Sequence, residues 1–201
     1  MSSTWFRVAL ASAALGLLPA GCGRDDSSPP ANGPSPAGNG AAERRPSPID
    51  MDPASLQVTD WAGIEQLVAR HRGQIVVVYL WATFSQPSVN EFPQLVRLCR
   101  THASDLRCIS VSVDYAEDSE EPEALRPQIA KFLGEQGADF EHVISSVPAE
   151  QFNQEIELET GIPAVYVYNR EGELAKRFDN DDPGQPEFSF RRDVAPFVEG
   201  L

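Results

Sequence analysis

The sequence predicts an α/β domain built on a central mixed β-sheet, and two observations support that prediction. Helical and strand-like segments alternate through the first half of the domain, which is typical of strands connected by helices. The second half contains two strand-like runs separated by a short turn at Asn169 to Gly172, which indicates a hairpin of antiparallel strands. Together these observations favour a sheet with both parallel and antiparallel neighbours, flanked by helices.

The spacing of apolar residues predicts the individual elements. Apolar side chains at helical spacing from Trp61 to Val68 predict a first helix, with Asp60 as its N-cap. The nearly all-apolar run 74–82 is expected for a central strand that is covered on both faces. Further helices are predicted over 89–102, 123–136, 148–159 and 190–201, and further strands over 106–114, 140–145 and within 164–178.

The first residues have the order of an export signal. Arg7 precedes the apolar run Val8 to Leu18, which is too short to cross a bilayer as a helix, and small residues follow it. Residues 1–21 are therefore predicted to be a lipoprotein-type signal peptide, because Cys22 resembles the lipidated cysteine of bacterial lipoproteins. Cleavage near Ala20 without lipidation is the alternative. Both interpretations place the mature domain outside the cytoplasm.

Residues 22–50 are predicted to form a disordered tether that is rich in proline, glycine and serine. They contain no aromatic and almost no large aliphatic side chain, so they cannot bury enough apolar surface to offset the entropy of ordering. The folded domain is then expected over 51–201. The chain carries a formal charge of −14, which argues against a nucleic-acid or anionic-lipid surface because both need a basic patch.

Two segments carry a specific resemblance. "GQIVVVYLWATFSQPSVNEFPQL", residues 73–95, and "TGIPAVYVYNREGEL", residues 160–174, resemble thioredoxin-like proteins of the TlpA/ResA type, which are extracytoplasmic and membrane-tethered. The resemblance implies a thioredoxin-like fold with a cis-proline at Pro163 beside an active-site turn. Ser85 and Ser88 stand at the two positions where the family carries its redox cysteines.

The two serines change the chemistry expected of that turn. Thiol exchange needs a thiolate nucleophile and a sulfur to attack, and serine supplies neither. A serine hydroxyl stays protonated unless a base activates it, and no histidine lies in this motif. Ser85 is therefore interpreted as a helix cap. Glu91, at the position where the family uses an acid to serve its thiols, is interpreted as a solvent-facing or capping glutamate.

The resemblance also implies a peptide-binding groove beside Pro163. In the family, the backbone before this proline pairs with an extended peptide by strand addition. The predicted groove comprises Trp81, Phe84, Pro87, Ile162 and Pro163. Two roles for the retained proline stay open, namely architecture alone and continued binding of an extended polypeptide.

Cys99 and Cys108 are the two remaining cysteines of the predicted domain. Both fall on positions predicted to face the core, so buried free thiols are the favoured interpretation, with a structural disulfide and redox catalysis as the alternatives. The histidines are scattered singly, which predicts no metal site. No glycine-rich phosphate loop or dinucleotide fingerprint occurs, so no organic cofactor is expected.

The leading functional hypothesis is a lipid-anchored, extracytoplasmic, redox-inactive thioredoxin-like protein that acts as a binding or assembly module. Its partner would be an extended polypeptide or an envelope protein. One alternative is a thiol-disulfide oxidoreductase that works through Cys99 and Cys108 or through the cysteines of a partner. Another is an envelope domain whose function lies on an unrelated surface.

Overall fold

The computed structural model describes residues 47–118, 121–180, 184 and 186–201. The predicted signal peptide, the lipidation site Cys22 and the tether up to residue 46 lie outside these residues. Within the described ranges, none of the helices has the length and apolar character needed to cross a membrane.

Six strands and five α-helices make up the described part of the chain. The strands are β1 (Gln57–Thr59), β2 (Ile75–Trp81), β3 (Leu106–Ser112), β4 (Glu141–Ser145), β5 (Ala164–Tyr168) and β6 (Leu174–Phe178). The helices are α1 (Trp61–Arg70), α2 (Gln86–Thr101), α3 (Arg126–Gln136), α4 (Ala149–Glu155) and α5 (Ala195–Glu199). Short 3-10 turns lie at Pro53–Ser55 and Pro122–Leu125, and a π-helical turn at Phe190–Val194 leads into α5.

The strands form one sheet in the order β1-β4-β3-β2-β5-β6. The pairs β1/β4, β4/β3 and β3/β2 are parallel, whereas β2/β5 and β5/β6 are antiparallel. The predicted mixed sheet is therefore confirmed. Because β2, β3 and β4 are parallel, their carboxyl ends lie at the same end of the sheet, and the loops that follow them meet there.

The central strand β2 contributes to both layers of the core. Its alternate residues Ile75, Val77, Tyr79 and Trp81 pack with residues of α2, α3 and the C-terminal segment. The intervening residues Val76, Val78 and Leu80 pack with residues of α1 and α4. All seven residues of the strand are buried. This explains why the strand is apolar throughout and does not alternate with polar residues.

The structure differs from the sequence prediction at the start of the domain. The short edge strand β1 was not predicted, because three residues are too few to show a period. Residues 47–50, assigned to the tether, lie against α3, where the Ile49 N–H donates to the Gly134 carbonyl at 2.9 Å. A Cβ at Gly137 would stand 2.2 Å from the Ser47 carbonyl oxygen, so this close approach requires glycine. Contact with the folded domain thus begins before Met51.

Candidate functional site

The two serines of the turn between β2 and α2 bond to each other. Ser85 is the N-cap of α2, and its hydroxyl oxygen accepts hydrogen bonds from the Ser88 N–H at 3.4 Å and from the Ser88 hydroxyl at 2.8 Å. Ser88 is completely buried. The interpretation of Ser85 as a helix cap therefore agrees with the structure. The cap also starts α2 at Gln86, three residues earlier than predicted.

Tyr79 holds the first turn of α2 in place from within the core. Its hydroxyl donates to the Ser88 carbonyl at 2.9 Å, and its ring is fully buried in the core. Burial raises the pKa of the Tyr79 phenol, and the negative charge of Glu91 raises it further. The phenol thus stays protonated and acts as a permanent donor. The sequence did not predict this role, because Tyr79 lies in a nearly all-apolar run that predicts only a buried strand.

A polar network on Asp114 holds the other side of the turn. The Asp114 carboxylate accepts hydrogen bonds from the Thr83 N–H at 2.9 Å, from the Thr83 hydroxyl and from the Ser112 hydroxyl at 2.7 Å. Gln128, in the first turn of α3, donates to the Thr83 hydroxyl at 3.2 Å. This network joins the loops after β2 and β3 to α3. An acid as the last residue of the predicted strand 106–114 was its one indication in the sequence.

The predicted cis-proline is present and lies beside this turn. The Ile162–Pro163 peptide bond is cis, and Ala164 pairs with Leu80 near the end of β2. Ile162 and Pro163 therefore stand opposite the residues that lead into the turn. Among the described residues, neither the N–H nor the C=O of Ile162 takes part in a backbone hydrogen bond.

The predicted groove residues divide into exposed and buried sets. Phe84 is 71% exposed, Pro87 is exposed and Ile162 is half-buried, so these three can meet a partner. Pro163 is buried. Trp81 has no exposed surface, and its assignment to the groove is corrected.

Trp81 belongs to the aromatic core. Its ring stacks on Phe132 at 4.7 Å between centroids and meets Phe92 edge-on at 4.8 Å. Its indole N–H is buried and finds no hydrogen-bond acceptor among the described residues. As the last residue of β2, Trp81 supports the turn from inside the domain and does not contact the surface.

Glu91 anchors the C-terminal segment to α2. Its carboxylate accepts a hydrogen bond from the Phe190 N–H at 2.8 Å, at the start of the π-helical turn. The side chain is half-buried, so of the two interpretations, solvent-facing or capping, the structure favours capping. The capping alternative is closer, but the capped element is the terminal segment and not α2. No local sequence rule could have found this partner, which lies 99 residues away.

Comparison with known proteins bears on the fold alone. No family model and no curated protein matches the chain. A secreted disulfide oxidoreductase of Mycobacterium tuberculosis, homologous to E. coli DsbE, matches with a TM-score of 0.50 and 13% identity over 66% of this chain and 86% of that one. A DsbF homologue from Corynebacterium diphtheriae matches with a TM-score of 0.52 and 15% identity over 67% and 76%. The fold is thioredoxin-like. This confirms the fold class predicted from the sequence.

The two cysteines of this thioredoxin-like domain form a disulfide. Cys99 of α2 and Cys108 of β3 are bonded, with their Cα atoms 6.0 Å apart. The favoured interpretation as free buried thiols is therefore wrong, and the alternative of a disulfide is correct. Cys99 is 8% and Cys108 3% exposed, so little of either sulfur is open to an attacking thiolate.

The hydroxyls of Ser85 and Ser88 in the thioredoxin-like turn are engaged in hydrogen bonds with each other's residue. Within the part of the chain that the structure describes, the hydrogen bonds of these two hydroxyls involve no histidine and no carboxylate that could act as a base. The histidines have other partners, namely Glu141 for His71, Glu199 for His102 and Ser110 for His142. Within the described ranges, no three His, Cys, Asp or Glu side chains are grouped so that they could hold a metal ion.

Proposed function

We propose that this protein is an extracytoplasmic, lipid-anchored, thioredoxin-like module that binds an extended polypeptide and does not exchange disulfides. The proposal rests on two features near the cis-proline: Phe84 is strongly exposed, and the N–H and C=O of Ile162 make no backbone hydrogen bond to any described residue. The signal-like residues 1–21 and Cys22 support the location and the anchor.

The expected binding mode is the addition of a short strand. The N–H and C=O of Ile162 can pair with one residue of an extended chain, as peptides do at open sheet positions. Phe84 offers an apolar ring at the surface, where a partner side chain can cover it. Main-chain bonds would then supply general affinity, and Phe84 would select apolar residues next to the paired one.

The oxidoreductase alternative has less support from the same site. Ser85 and Ser88 bond to each other and offer no sulfur, and the remaining disulfide is nearly buried between α2 and β3. Catalysis through Cys99 and Cys108 would need the helix and the strand to separate first. A binding role needs no such movement, because Phe84 and Ile162 are accessible in the folded state.

The proposal is tested with two matched surface variants of the full-length chain. Phe84→Ala should weaken the binding of an extended apolar peptide, measured by fluorescence anisotropy, by about tenfold, because an aromatic anchor carries much of a small interface. Leu174→Ala is the control, since Leu174 is also a large exposed side chain, at 51%, and lies in β6. Equal affinities for the two variants would contradict the proposal.

A second measurement separates the proposal from the oxidoreductase alternative. In a disulfide-exchange assay with a small dithiol as reductant, the full-length chain should show no turnover above the uncatalysed rate. Turnover that disappears in Cys99→Ser would establish an oxidoreductase with a relocated site and refute the proposal.

A further inference from the structure

The end of the sheet that carries the candidate site is rich in acidic residues on the side of β3 and β4. The segments that follow β3 and β4, residues 113–125 and 146–162, contain six and four acidic residues respectively, and no lysine, arginine or histidine. Among the described ones, the side chains of Glu117, Asp118, Glu150, Glu157 and Glu159 are exposed. The carboxyl ends of β3 and β4 lie at the same end of the sheet as that of β2, so the described carboxylates of these segments lie on the β3 and β4 side of the turn that holds Phe84.

Part of this acidic surface is a groove with a volume of about 840 Å³. It is lined by Ala116, Glu117, Asp118, Pro148, Ala149, Glu150, Gln151 and Gln154. The groove thus presents three carboxylates and two side-chain amides. None of its three carboxylates forms an ion pair with a residue in the described part of the chain.

The groove and the peptide site are both built on the same hydrophobic cluster. Ala149, which lines the groove, and Ile162 both pack against the hydrophobic cluster between the sheet and the helices α1 and α4. Ala164 pairs with Leu80 near the end of β2, and the Ala149 N–H donates to the Tyr115 carbonyl at 2.9 Å just after β3. A chain that pairs with Ile162 therefore lies at the same end of the sheet as the carboxylates. Side chains of an extended segment project to alternate sides, so neighbouring positions can reach different surfaces.

We propose that the segment bound at Phe84 and Ile162 is cationic, with an apolar residue against Phe84 and a lysine or arginine directed into the groove of Glu117, Asp118 and Glu150. This inference rests on the proposed function, because it names the chemistry of the partner for the same site. Unpaired carboxylates on one surface raise the local concentration of a positively charged partner and disfavour an acidic one. An extended segment of the opposite charge is therefore selected before any contact forms.

The test compares three short peptides on the full-length chain. They share a Val-Ile-Val centre and carry lysine, glutamine or glutamate on both sides of it. The lysine peptide should bind about tenfold more tightly than the glutamine peptide at low salt, and the glutamate peptide most weakly. Added salt should reduce the difference, because the charges involved are exposed and therefore screened.

Two charge-matched triple variants locate the effect. Glu117→Gln combined with Asp118→Asn and Glu150→Gln should remove most of the preference for lysine and leave the affinity for the glutamine peptide unchanged. The control variant carries Asp105→Asn, Glu135→Gln and Glu171→Gln, which change the net charge equally at the opposite end of the sheet. The control should retain the preference.

Each outcome separates this inference from the proposed function. Equal binding of the three peptides, with a loss in Phe84→Ala, would overturn the cationic partner and leave the peptide site intact. An equal loss of preference in both triple variants would show that net charge and not this groove is responsible, which also overturns the inference. Failure of all three peptides to bind would refute the proposed function itself.

Discussion

Removing the Cys99–Cys108 disulfide should destabilise the domain without affecting its binding site. The bond joins α2 to β3 across a sequence separation of 9 residues. In the chain-entropy model, a cross-link that closes a loop of this length lowers the conformational entropy of the unfolded chain. This stabilises the folded state by roughly 2.7 kcal/mol. Reduction of the wild-type bond should therefore lower the free energy of unfolding by about 2.7 kcal/mol, since both half-cystines keep their place in the core.

The double variant Cys99→Ala and Cys108→Ala should lose more. Both sulfurs are buried against the core cluster, so truncation to alanine also leaves small voids, each costing roughly 1 kcal/mol. The total expected loss is then about 4 to 5 kcal/mol. Urea titrations of the full-length chain, oxidised, reduced and doubly substituted, separate the cross-link from the packing contribution.

Two results would refute this account of the disulfide. A reduced chain within about 0.5 kcal/mol of the oxidised one would show that the bond does not constrain the unfolded state. A folded double variant that no longer binds peptides would show that the bond shapes the turn at Phe84, although Cys108 lies in the first half of β3, away from that end of the sheet. Unchanged binding in a destabilised variant is the expected result.

Three further predictions follow from buried polar groups. Burial lowers the pKa of His142 to about 4 from the usual 6.5, so the unfolded chain takes up a proton first as the pH falls. The free energy of unfolding should therefore decrease between about pH 6.5 and 4, by up to about 3 kcal/mol, and His142→Gln should flatten that dependence in urea titrations. Tyr79→Phe leaves the buried Ser88 carbonyl without its donor and should cost about 1 to 2 kcal/mol by the same measurement. The double change Ser85→Cys and Ser88→Cys should create measurable disulfide reductase activity, because a thiol at the start of α2 gains acidity from the helix; a folded, inactive double variant would contradict this.

The architecture could be read from the sequence because long elements carry a clear period. The run of β2 and the apolar spacing of α1 allow few other structures, and the cap at Asp60 is observed as predicted, with its carboxylate accepting from the Gly63 N–H at 2.9 Å. Short elements were missed for the same reason. Three residues of β1 show no period, and their pairing with β4 is decided by contacts far away in the chain.

The site could be predicted in part, since exposure and distant partners are properties of the fold. The turn and the cis-proline were located correctly by motif, but a tryptophan at the end of a strand gives no sign of whether it points inward, and Trp81 does. Likewise, sequence spacing alone does not show whether Cys99 and Cys108 are free thiols or form a disulfide. Only the packing of α2 on β3, which brings the Cα atoms to 6.0 Å, decides between them.

The hydrogen bonds around the turn suggest how the site can keep its form without thiols. Ser85 caps α2, Tyr79 donates to the Ser88 carbonyl, and the Asp114 carboxylate holds the loop at Thr83. Each of these buried or half-buried groups has a partner within the domain, so the geometry of the turn does not depend on a disulfide.

Ile162 and Phe84 lie near the bonded groups of the turn and are themselves available to a partner. The N–H and C=O of Ile162 make no backbone bond within the described residues, and Phe84 leaves most of its ring in solvent. A backbone group and a large apolar side chain both gain free energy when a partner covers them. Since Ser85, Ser88 and Thr83 are bonded within the domain, Ile162 and Phe84 are positions where binding of another chain has much to gain. This is the physical reason to search for a partner of this domain before a substrate.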